Sequence, residues 1–480
     1  MIKWKGKKMI FTKYVCIYNL DEYNYLMLNT LTSAMDIIDH ETKLRIDDMI
    51  RGKTEITEEN DPELFSSLKT RGYIFCDAEE EFQLLSKMRY INEQLNFRHL
   101  NTDFTICPTM GCNLRCTYCF ESECQHKDYG LLSDAQLNTI FEHIRKCCNE
   151  YISIDTELKK HGKSIGRLPC INLFGGEPLL KTNYDIVRRI IHFAKEINIP
   201  VKIITNGTNI ESYAELLSEY KDRISIQITM DGNREVHNMR RVRVDGSGTF
   251  DDICDGVDKV LEMGIQINLR INIDRDNIEG IGDLKKVFDK KGWTSNKLFV
   301  PYASPVQCFG EEGSNILKES EMLSYLLEKG WYGSKNSFIK YIVATATGFV
   351  VNFFNSGEGM RMWKTTYCEA TSGSNYCFAP DGTISTCLTY VGKGENYIGT
   401  FDETGVHINQ NNYRLWIDRN PFMMEKCKEC KYILMCGGGC PVAALERNKR
   451  IDCVVCNDIE DTFKVYIDHI KDRFLSNASK

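Results

Sequence analysis

The chain has 480 residues, 42% of them hydrophobic, which suffices for two or three domains with real cores, and its net charge is −7. That acidic balance, with no strongly basic block beyond the lysines near Met1, leaves no footprint for nucleic acid. No run approaches the ~18 apolar residues of a membrane span, so no membrane segment is expected.

The start MIKWKGKKMIFTKY lacks a long apolar stretch and a small-residue cleavage site, which places the expected location in the cytoplasm. Disulfides are rare in that reducing compartment, so spaced cysteines there hold metal or do redox chemistry. Residues 1–100 are expected to form a small module. Strands are predicted over 15–18 and 23–28, helices over 41–51 and 62–69, and a longer helix over 77–97. Strands with small helices suggest a winged-helix-like unit.

From residue 104 short apolar runs alternate with helical segments. Strands are predicted over 104–109, 171–174, 201–205, 225–229, 265–273 and 297–302. Helices are predicted over 133–151, opened by a Ser133/Gln136 capping box, then 184–197, 210–220, 250–263 and 281–290. Repeated strand–helix units imply an α/β fold with a parallel sheet, in which chemistry gathers at the carboxyl ends of the strands. The short motifs fall there: CNLRCTYC follows the first strand, FGGEP the second and TNG the third, while TMDG ends the fourth. Residues 311–366 read as a helical bridge. Residues 367–480 are cysteine-rich, with turns such as PDG and CGGGCP, poor in long periodic segments and expected to depend on metal to fold.

Of the 21 cysteines, three stand at 112–119 and nine between Cys368 and Cys456. Cys16, Cys76, Cys107, Cys124, Cys147, Cys148, Cys170, Cys254 and Cys308 are scattered or lie in apolar segments and are assigned no role. The stretch GCNLRCTYCFE offers Cys112, Cys116 and Cys119 with no fourth thiol at an obvious ligand spacing. A four-iron four-sulfur cluster held by three thiolates leaves one iron open to a small molecule, whereas a zinc site is the simpler alternative.

This C-x3-C-x2-C spacing followed by an aromatic residue resembles the signature of radical S-adenosylmethionine (radical SAM) enzymes. The resemblance implies a partial (β/α)6 barrel over 101–310 and a cluster whose free iron is chelated by the methionine amino and carboxylate groups. An electron from that cluster then cleaves the sulfonium to a 5′-deoxyadenosyl radical. Position by position, it implies that Gly175, Gly176 and Glu177 receive the methionine ammonium and that Phe120 sits by the adenine. Asn206, Thr229 and Arg241 match positions that contact the ribose or the methionine carboxylate, with Thr229 in place of the more usual serine.

Cys427, Cys430, Cys436 and Cys440 follow C-x2-C-x5-C-x3-C, with Cys368 and Cys387 before them and Cys453 and Cys456 after, and zinc ribbons are the simpler alternative. The combination resembles the SPASM extension of radical SAM enzymes, which implies two auxiliary four-iron four-sulfur clusters and a peptide or protein substrate. On that resemblance Cys427, Cys430, Cys436 and Cys456, or Cys453 instead of Cys456, hold an outer cluster. Cys368, Cys387 and Cys440 hold an inner one, with Cys377 either its fourth ligand or a core residue. No cysteine lies a few residues before Cys368, so the inner cluster is expected to be open to a substrate thiolate. Leu388 stands where sulfatase-maturing enzymes place an aspartate base.

Residues 1–100 resemble the peptide-recognition element of ribosomal-peptide maturases, which would take a leader peptide as an added strand; a packing unit is the alternative. The expected activity is an intramolecular crosslink, by preference a thioether, in a precursor peptide, with a flavodoxin- or ferredoxin-like reductant. The alternatives are formylglycine formation on a sulfatase, a carbon–carbon crosslink and, from another class, a zinc-bound peptide-binding protein.

Overall fold

Runs rich in isoleucine and valine alternate with helices whose apolar residues recur three or four positions apart, and this pattern builds repeated strand–helix units. The computed structural model describes residues 9–95, 100–122, 130–310, 313, 315–355 and 363–478. The lysines near Met1, Cys124 and parts of the predicted bridge (311–312, 314, 356–362) lie outside the described residues, as does Phe97 at the end of the predicted 77–97 helix.

In chain order the first strands are β1 (Ile10–Phe11), β2 (Val15–Asn19), β3 (Asn24–Asn29), β4 (Met35–Asp39) and β5 (Ile74–Phe75). They are followed by β6 (Asp103–Ile106), β7 (Leu114–Cys116), β8 (Cys170–Leu173), β9 (Val201–Thr205), β10 (Ile224–Thr229), β11 (Arg241–Arg243), β12 (Gln266–Ile273) and β13 (Phe299–Pro305). The last are β14 (Tyr341–Ile342), β15 (Asn375–Phe378), β16 (Thr383–Ser385), β17 (Gly399–Asp402) and β18 (Gly405–Ile408). One sheet of 11 strands runs in the order β14-β13-β12-β10-β9-β8-β6-β15-β16-β17-β18. It is parallel from β14 to β15 and antiparallel beyond. The six predicted core strands are β6, β8, β9, β10, β12 and β13, adjacent in sequence order.

The differences have local causes. β6 ends at Ile106, because Pro108 has no N–H to continue the ladder and the chain turns into the cysteine loop. The helix that begins at the Ser133/Gln136 capping box runs over Asp134–Lys160, nine residues past the predicted end at 151. Its last turns are polar, braced by the Lys159–Asp155 ion pair, and they stop before Gly162 in the left-handed region. The predicted 210–220 helix is a 3-10 turn, Ile210–Tyr213, and a short helix, Ala214–Ser218. The 311–366 bridge holds helices Glu319–Glu328 and Thr345–Asn355 but also contributes β14 to the sheet. The C-terminal segment carries a 20-residue helix, Ile459–Ala478, which the reading of that segment as poor in periodic elements did not anticipate.

The sheet's two faces differ in chemistry. On β10, Ile224, Ile226 and Ile228 are buried toward the helices, and on β12 so are Ile267, Leu269, Ile271 and Ile273. They pack on helix residues such as Ile253, Val257 and Val260 of the helix Phe250–Glu262, and burying an isoleucine of this kind stabilises the fold by about 1.5–3 kcal/mol. The opposite face presents Ser225, Gln227 and Thr229 from β10 and Asn268, Arg270 and Asn272 from β12. A parallel sheet buried on both faces would be apolar throughout; this one encloses a cavity.

Strands β2, β3 and β4 form an antiparallel sheet with β3 at its centre, and β1 pairs with β5. This N-terminal part packs on the C-terminal segment. Tyr18 and Tyr432 both stack on Phe463, at 6.1 and 5.6 Å between ring centroids, and their hydroxyls meet at 3.1 Å. Lys13 Nζ donates to Lys428 O at 3.0 Å, and Tyr14, Leu31, Phe75 and Leu85 share a cluster with Ile433 and Leu434. Phe463 is fully buried between these parts. Phe463→Ala is expected to cost about 3–5 kcal/mol, seen as a lower thermal midpoint together with faster proteolysis within residues 9–95.

Candidate active site

The loop between β6 and β8 carries Cys112, Cys116 and Cys119, and two contacts fix its path. β7 pairs antiparallel with β11, setting Arg241 opposite Cys116 and Arg243 opposite Leu114. On the other side the loop lies against the glycines that follow β8. Gly176 N donates to Thr109 O at 3.2 Å and Glu177 N to Gly111 O at 2.9 Å. A Cβ on Gly176 would lie 2.3 Å from both Gly111 O and Met110 O, so this close backbone approach admits no side chain.

Glu177 is buried, and both carboxylate oxygens are engaged. One accepts from Thr205 Oγ1 at 2.6 Å and Leu179 N at 2.8 Å, the other from Asn206 N at 2.6 Å. Burial raises its pKa and these donors pull it back. The carboxylate therefore ties the glycine turn to the end of β9. Asn206 continues the tie, donating from Nδ2 to Asn113 Oδ1 at 2.8 Å and facing Cys112 Sγ at 4.0 Å. Thr229, buried at the end of β10, faces the same cavity.

Arg241 is buried, with Nη1 donating to Tyr118 Oη at 2.7 Å and Nε without a hydrogen-bond partner among the described residues. Tyr118 donates to Asp231, accepts from Asn272 Nδ2 at 3.1 Å and lies under the Arg240 guanidinium at 5.0 Å. Arg240 in turn pairs with Asp274 at 2.9 Å. Reading the motifs alone missed Tyr118, Asp231, Asn272 and Asp274. Their signal is the polar alternation of QINLRINI and the carboxylate inside TMDG, both unusual in strands that belong to a parallel sheet.

Phe120 stacks on Phe174 at 6.3 Å and meets Phe309 edge-on, making an apolar wall. Beside it Glu121 is buried, pushed up to about 8 by desolvation against the pull of Lys393, and its Oε1 has no hydrogen-bond partner among the described residues. The three cysteines of the loop, Tyr118, Phe120, Glu121, Phe174, the glycine turn with Glu177, Asn206, Thr229, Arg241 and Asn272 line one cavity of about 570 Å³, which Leu388 and Thr389 also reach from the C-terminal segment.

The C-terminal cysteines fall into two groups. Burial and then Cys436, Cys430 and Cys456 raise Cys427, whereas burial and then Cys368, Cys440 and Cys377 raise Cys387, which sorts Cys368, Cys387 and Cys440 with Cys377 into a second set. Cys377 is fully buried in β15 among Cys107, Phe174 and Ala379, and accepts from Asn375 Nδ2 at 3.2 Å. The loops bearing these groups pass one another without side chains: a Cβ on Gly439 would lie 1.7 Å from Val455 O. Arg419, 4% exposed, staples them, donating to Ile451 O at 2.5 Å, Gly439 O at 2.7 Å, Cys453 O at 2.9 Å and Gly438 O at 3.0 Å.

Among the described residues no three His, Cys, Asp or Glu side chains converge on a single-ion site. A four-iron cluster takes its thiolates at separate corners, wider apart than the donors around one ion, and the donor chemistry fits such a group. Cys112 Sγ and Cys430 Sγ each accept a backbone N–H at 3.4 Å, from Leu114 and Tyr432, and Cys436 Sγ accepts from Asn457 Nδ2 at 3.5 Å. Burial pushes Cys112 up to about 12, with Glu177 adding to it, and Cys119 up to about 11. These thiols ionise when a bound metal displaces their protons. The unpartnered Arg241 Nε likewise suits the carboxylate of S-adenosylmethionine.

Residues 106–287 match the family model described as the Radical SAM superfamily, and this part of the chain is a radical SAM domain. The chain is an enzyme, and the superfamily implies a four-iron four-sulfur cluster and S-adenosylmethionine. It is 24% identical over 386 residues to a cysteine-type anaerobic sulfatase-maturating enzyme of Clostridium novyi, covering 77% of this chain and 93% of the relative. The sporulation killing factor maturation protein SkfB of Bacillus subtilis is 23% identical over 201 residues, 42% of each chain. Two solved structures share the fold. Native anSMEcpe with bound AdoMet has a TM-score of 0.57 at 21% identity, over 79% of this chain and 99% of that one. Streptococcus suis SuiB bound to precursor peptide SuiA has a TM-score of 0.52 at 14% identity, over 93% and 98%.

Gly176→Ala forces the cysteine loop away from the β8 turn. After anaerobic reconstitution it is expected to weaken S-adenosylmethionine binding at least about tenfold, the loss of one good backbone contact, measured by equilibrium dialysis. Gly280→Ala, whose added methyl meets nothing within 4 Å, should bind as the parent does.

Proposed function

We propose that this enzyme is a maturase that installs an intramolecular crosslink, by preference a thioether, in a ribosomally made precursor peptide. One observation carries the reading: Cys112, Cys116 and Cys119 line the same cavity as Leu388 and Thr389, and Thr389 Oγ1 lies 3.0 Å from Cys387 Sγ, so a substrate held there lies beside both thiol-bearing segments. When bound, the cluster and S-adenosylmethionine supply a 5′-deoxyadenosyl radical that takes a hydrogen atom from the substrate.

The chain's own residues hold and shield the reactants. Arg241 pairs with the methionine carboxylate through its free Nε, and Asn206 and Thr229 orient the nucleoside side. Gly175, Gly176 and the turn that Glu177 braces receive the ammonium. Phe120 and Phe174 exclude water beside the adenine. Cys368, Cys387 and Cys440 hold the inner auxiliary cluster, and Cys427, Cys430, Cys436 and Cys456 the outer one. Closing a carbon–sulfur bond releases the abstracted hydrogen, a thiol proton and one electron, and an iron–sulfur centre held by Cys368, Cys387 and Cys440 would supply an acceptor for that electron. Leu388 supplies no carboxylate base beside Cys387, which favours bond closure over formylglycine formation. The outer strands β2 and β4 of the N-terminal sheet are the edges on which a leader peptide would add, and a flavodoxin or ferredoxin supplies electrons.

The second reading, a sulfatase maturase, is favoured by the length of the match to the Clostridium novyi enzyme. One experiment separates them. Reconstituted enzyme, S-adenosylmethionine and reductant are incubated with small peptides encoded beside its gene and, in parallel, with a sulfatase peptide, and products are read by mass spectrometry. Loss of two hydrogens per crosslink is expected; conversion of the sulfatase cysteine alone would sink the crosslinking reading. Replacing Cys112, Cys116 or Cys119 by alanine is expected to abolish 5′-deoxyadenosine formation. Cys456→Ala is expected to lower bound iron from about twelve per chain, while Cys453→Ala leaves it unchanged.

A further inference from the structure

The polar face of the sheet continues beyond the residues that hold the cofactor. Arg270 on β12 stands between Asn268 and Asn272 on the cavity wall. Its Nε donates to Asn272 Oδ1 at 2.7 Å and its Nη2 to Ser304 Oγ at 2.9 Å, and the Tyr302 hydroxyl lies against it. These partners are themselves anchored. Ser304 Oγ donates to Val343 O at 2.9 Å, Tyr302 Oη to Gln227 Oε1 at 2.6 Å and Asn272 Nδ2 to Tyr118 Oη at 3.1 Å. The guanidinium is therefore aimed by neutral groups, each of which is held by a further bond.

Among the described residues Arg270 forms no ion pair with a carboxylate. Three neighbouring arginines do: Arg240 pairs with Asp274, Arg243 with Asp252 and Arg275 with Glu321. The acids that share the cavity wall stand on the side of the β6 and β8 loops, and both oxygens of Glu177 already accept internal donors. A fixed guanidinium facing a cavity with only neutral partners is a receptor for an anion, and its planar fork matches a carboxylate. The stacked rings of Tyr302 and Tyr341, 4.7 Å apart, form a flat wall beside it that suits a peptide backbone or side-chain stem.

We propose that Arg270 is a specificity-determining residue that binds a carboxylate of the peptide substrate, either an acidic side chain or the C-terminal carboxylate. This rests on the peptide reading above and adds the charge that the peptide must carry. Arg241 is left to the methionine carboxylate, so the two arginines divide two anions along one cavity.

The probes are three N-acetylated tripeptides: alanine–aspartate–alanine amide, alanine–asparagine–alanine free acid and alanine–asparagine–alanine amide. Their binding to reconstituted holoenzyme with S-adenosylmethionine is read by ligand-observed NMR titration. One acidic probe is expected to bind about tenfold tighter than the neutral amide, and which one it is identifies the side chain or the terminus as the source. R270Q is expected to erase that preference, and R270K to keep part of it, since charge survives without the fork. Equal binding of all three probes by the parent enzyme overturns the proposal. So does a preference that persists in R270Q, or an R270Q effect confined to the KM for S-adenosylmethionine. Failure of the maturase reading shows separately, as absence of any mass change in the peptides.

Discussion

A parallel sheet whose inward residues are asparagine, glutamine, serine and arginine cannot close that face on an apolar core. Its outward isoleucines take the helices, as in any strand–helix repeat, and supply the apolar burial. The inward face must then hold water or ligand, because polar side chains stripped of partners would cost more than the packing returns. The cavity and the loops over its rim follow from this choice of one polar face.

Charge inside that face is distributed rather than neutralised pair by pair. Asp231, with no exposure to solvent, accepts from the Asn272 backbone N–H at 3.0 Å and from Tyr118, and lies 3.8 Å from Arg240 Nε. Arg241 shares Tyr118 but keeps its buried Nε–H without a hydrogen-bond partner among the described residues. Breaking such a network from one side leaves a buried charge uncompensated, which typically costs 3–5 kcal/mol, so its geometry is held stiffly. Arg419 follows the same logic with carbonyls in place of acids. The cation holds the glycine turn at 438–439 against the strand of chain at 451–453, near Cys368, Cys440 and Cys427, whose thiols become anionic when they take a metal.

Much of this was legible in the sequence. The six core strands and their order follow from periodicity, and the motifs fall at strand ends because loops converge there. Boundaries failed where a long-range partner decides them. Nothing local in RVR predicts that β11 pairs with the cysteine loop, and past Tyr151 the Asp134–Lys160 helix keeps only a sparse stripe of Ile154 and Leu158 among polar residues. The roles of Tyr118, Asp231 and Asn272 were hidden differently. Each is an ordinary residue until the loops after β7 and β10 and strand β12 bring them within one hydrogen-bond network. Arg270 was visible as an alternation in QINLRINI, but only the curvature of the sheet says that its face is a cavity rather than solvent.

The N-terminal part touches this chemistry through a short segment that bears thiols. Many of its contacts fall on residues 428–434: Lys13 on Lys428, Thr30 on Lys431, Cys16 and Tyr18 on Tyr432, and the Tyr14 cluster on Ile433 and Leu434, while Tyr18 also stacks on Phe463 and Arg89 lies over Phe422. That segment lies between Cys427 and Cys436 and includes Cys430, so the chain that presents these thiols is also the floor on which the N-terminal sheet rests. Thermodynamic linkage then works in both directions. Whatever orders the thiol-bearing turn strengthens the docking of the sheet, and whatever binds the sheet in its docked position favours the ordered turn by the same free energy. The aromatic stack of Tyr18, Phe463 and Tyr432 carries that coupling by fixing the position of Tyr432, whose N–H donates to Cys430 Sγ.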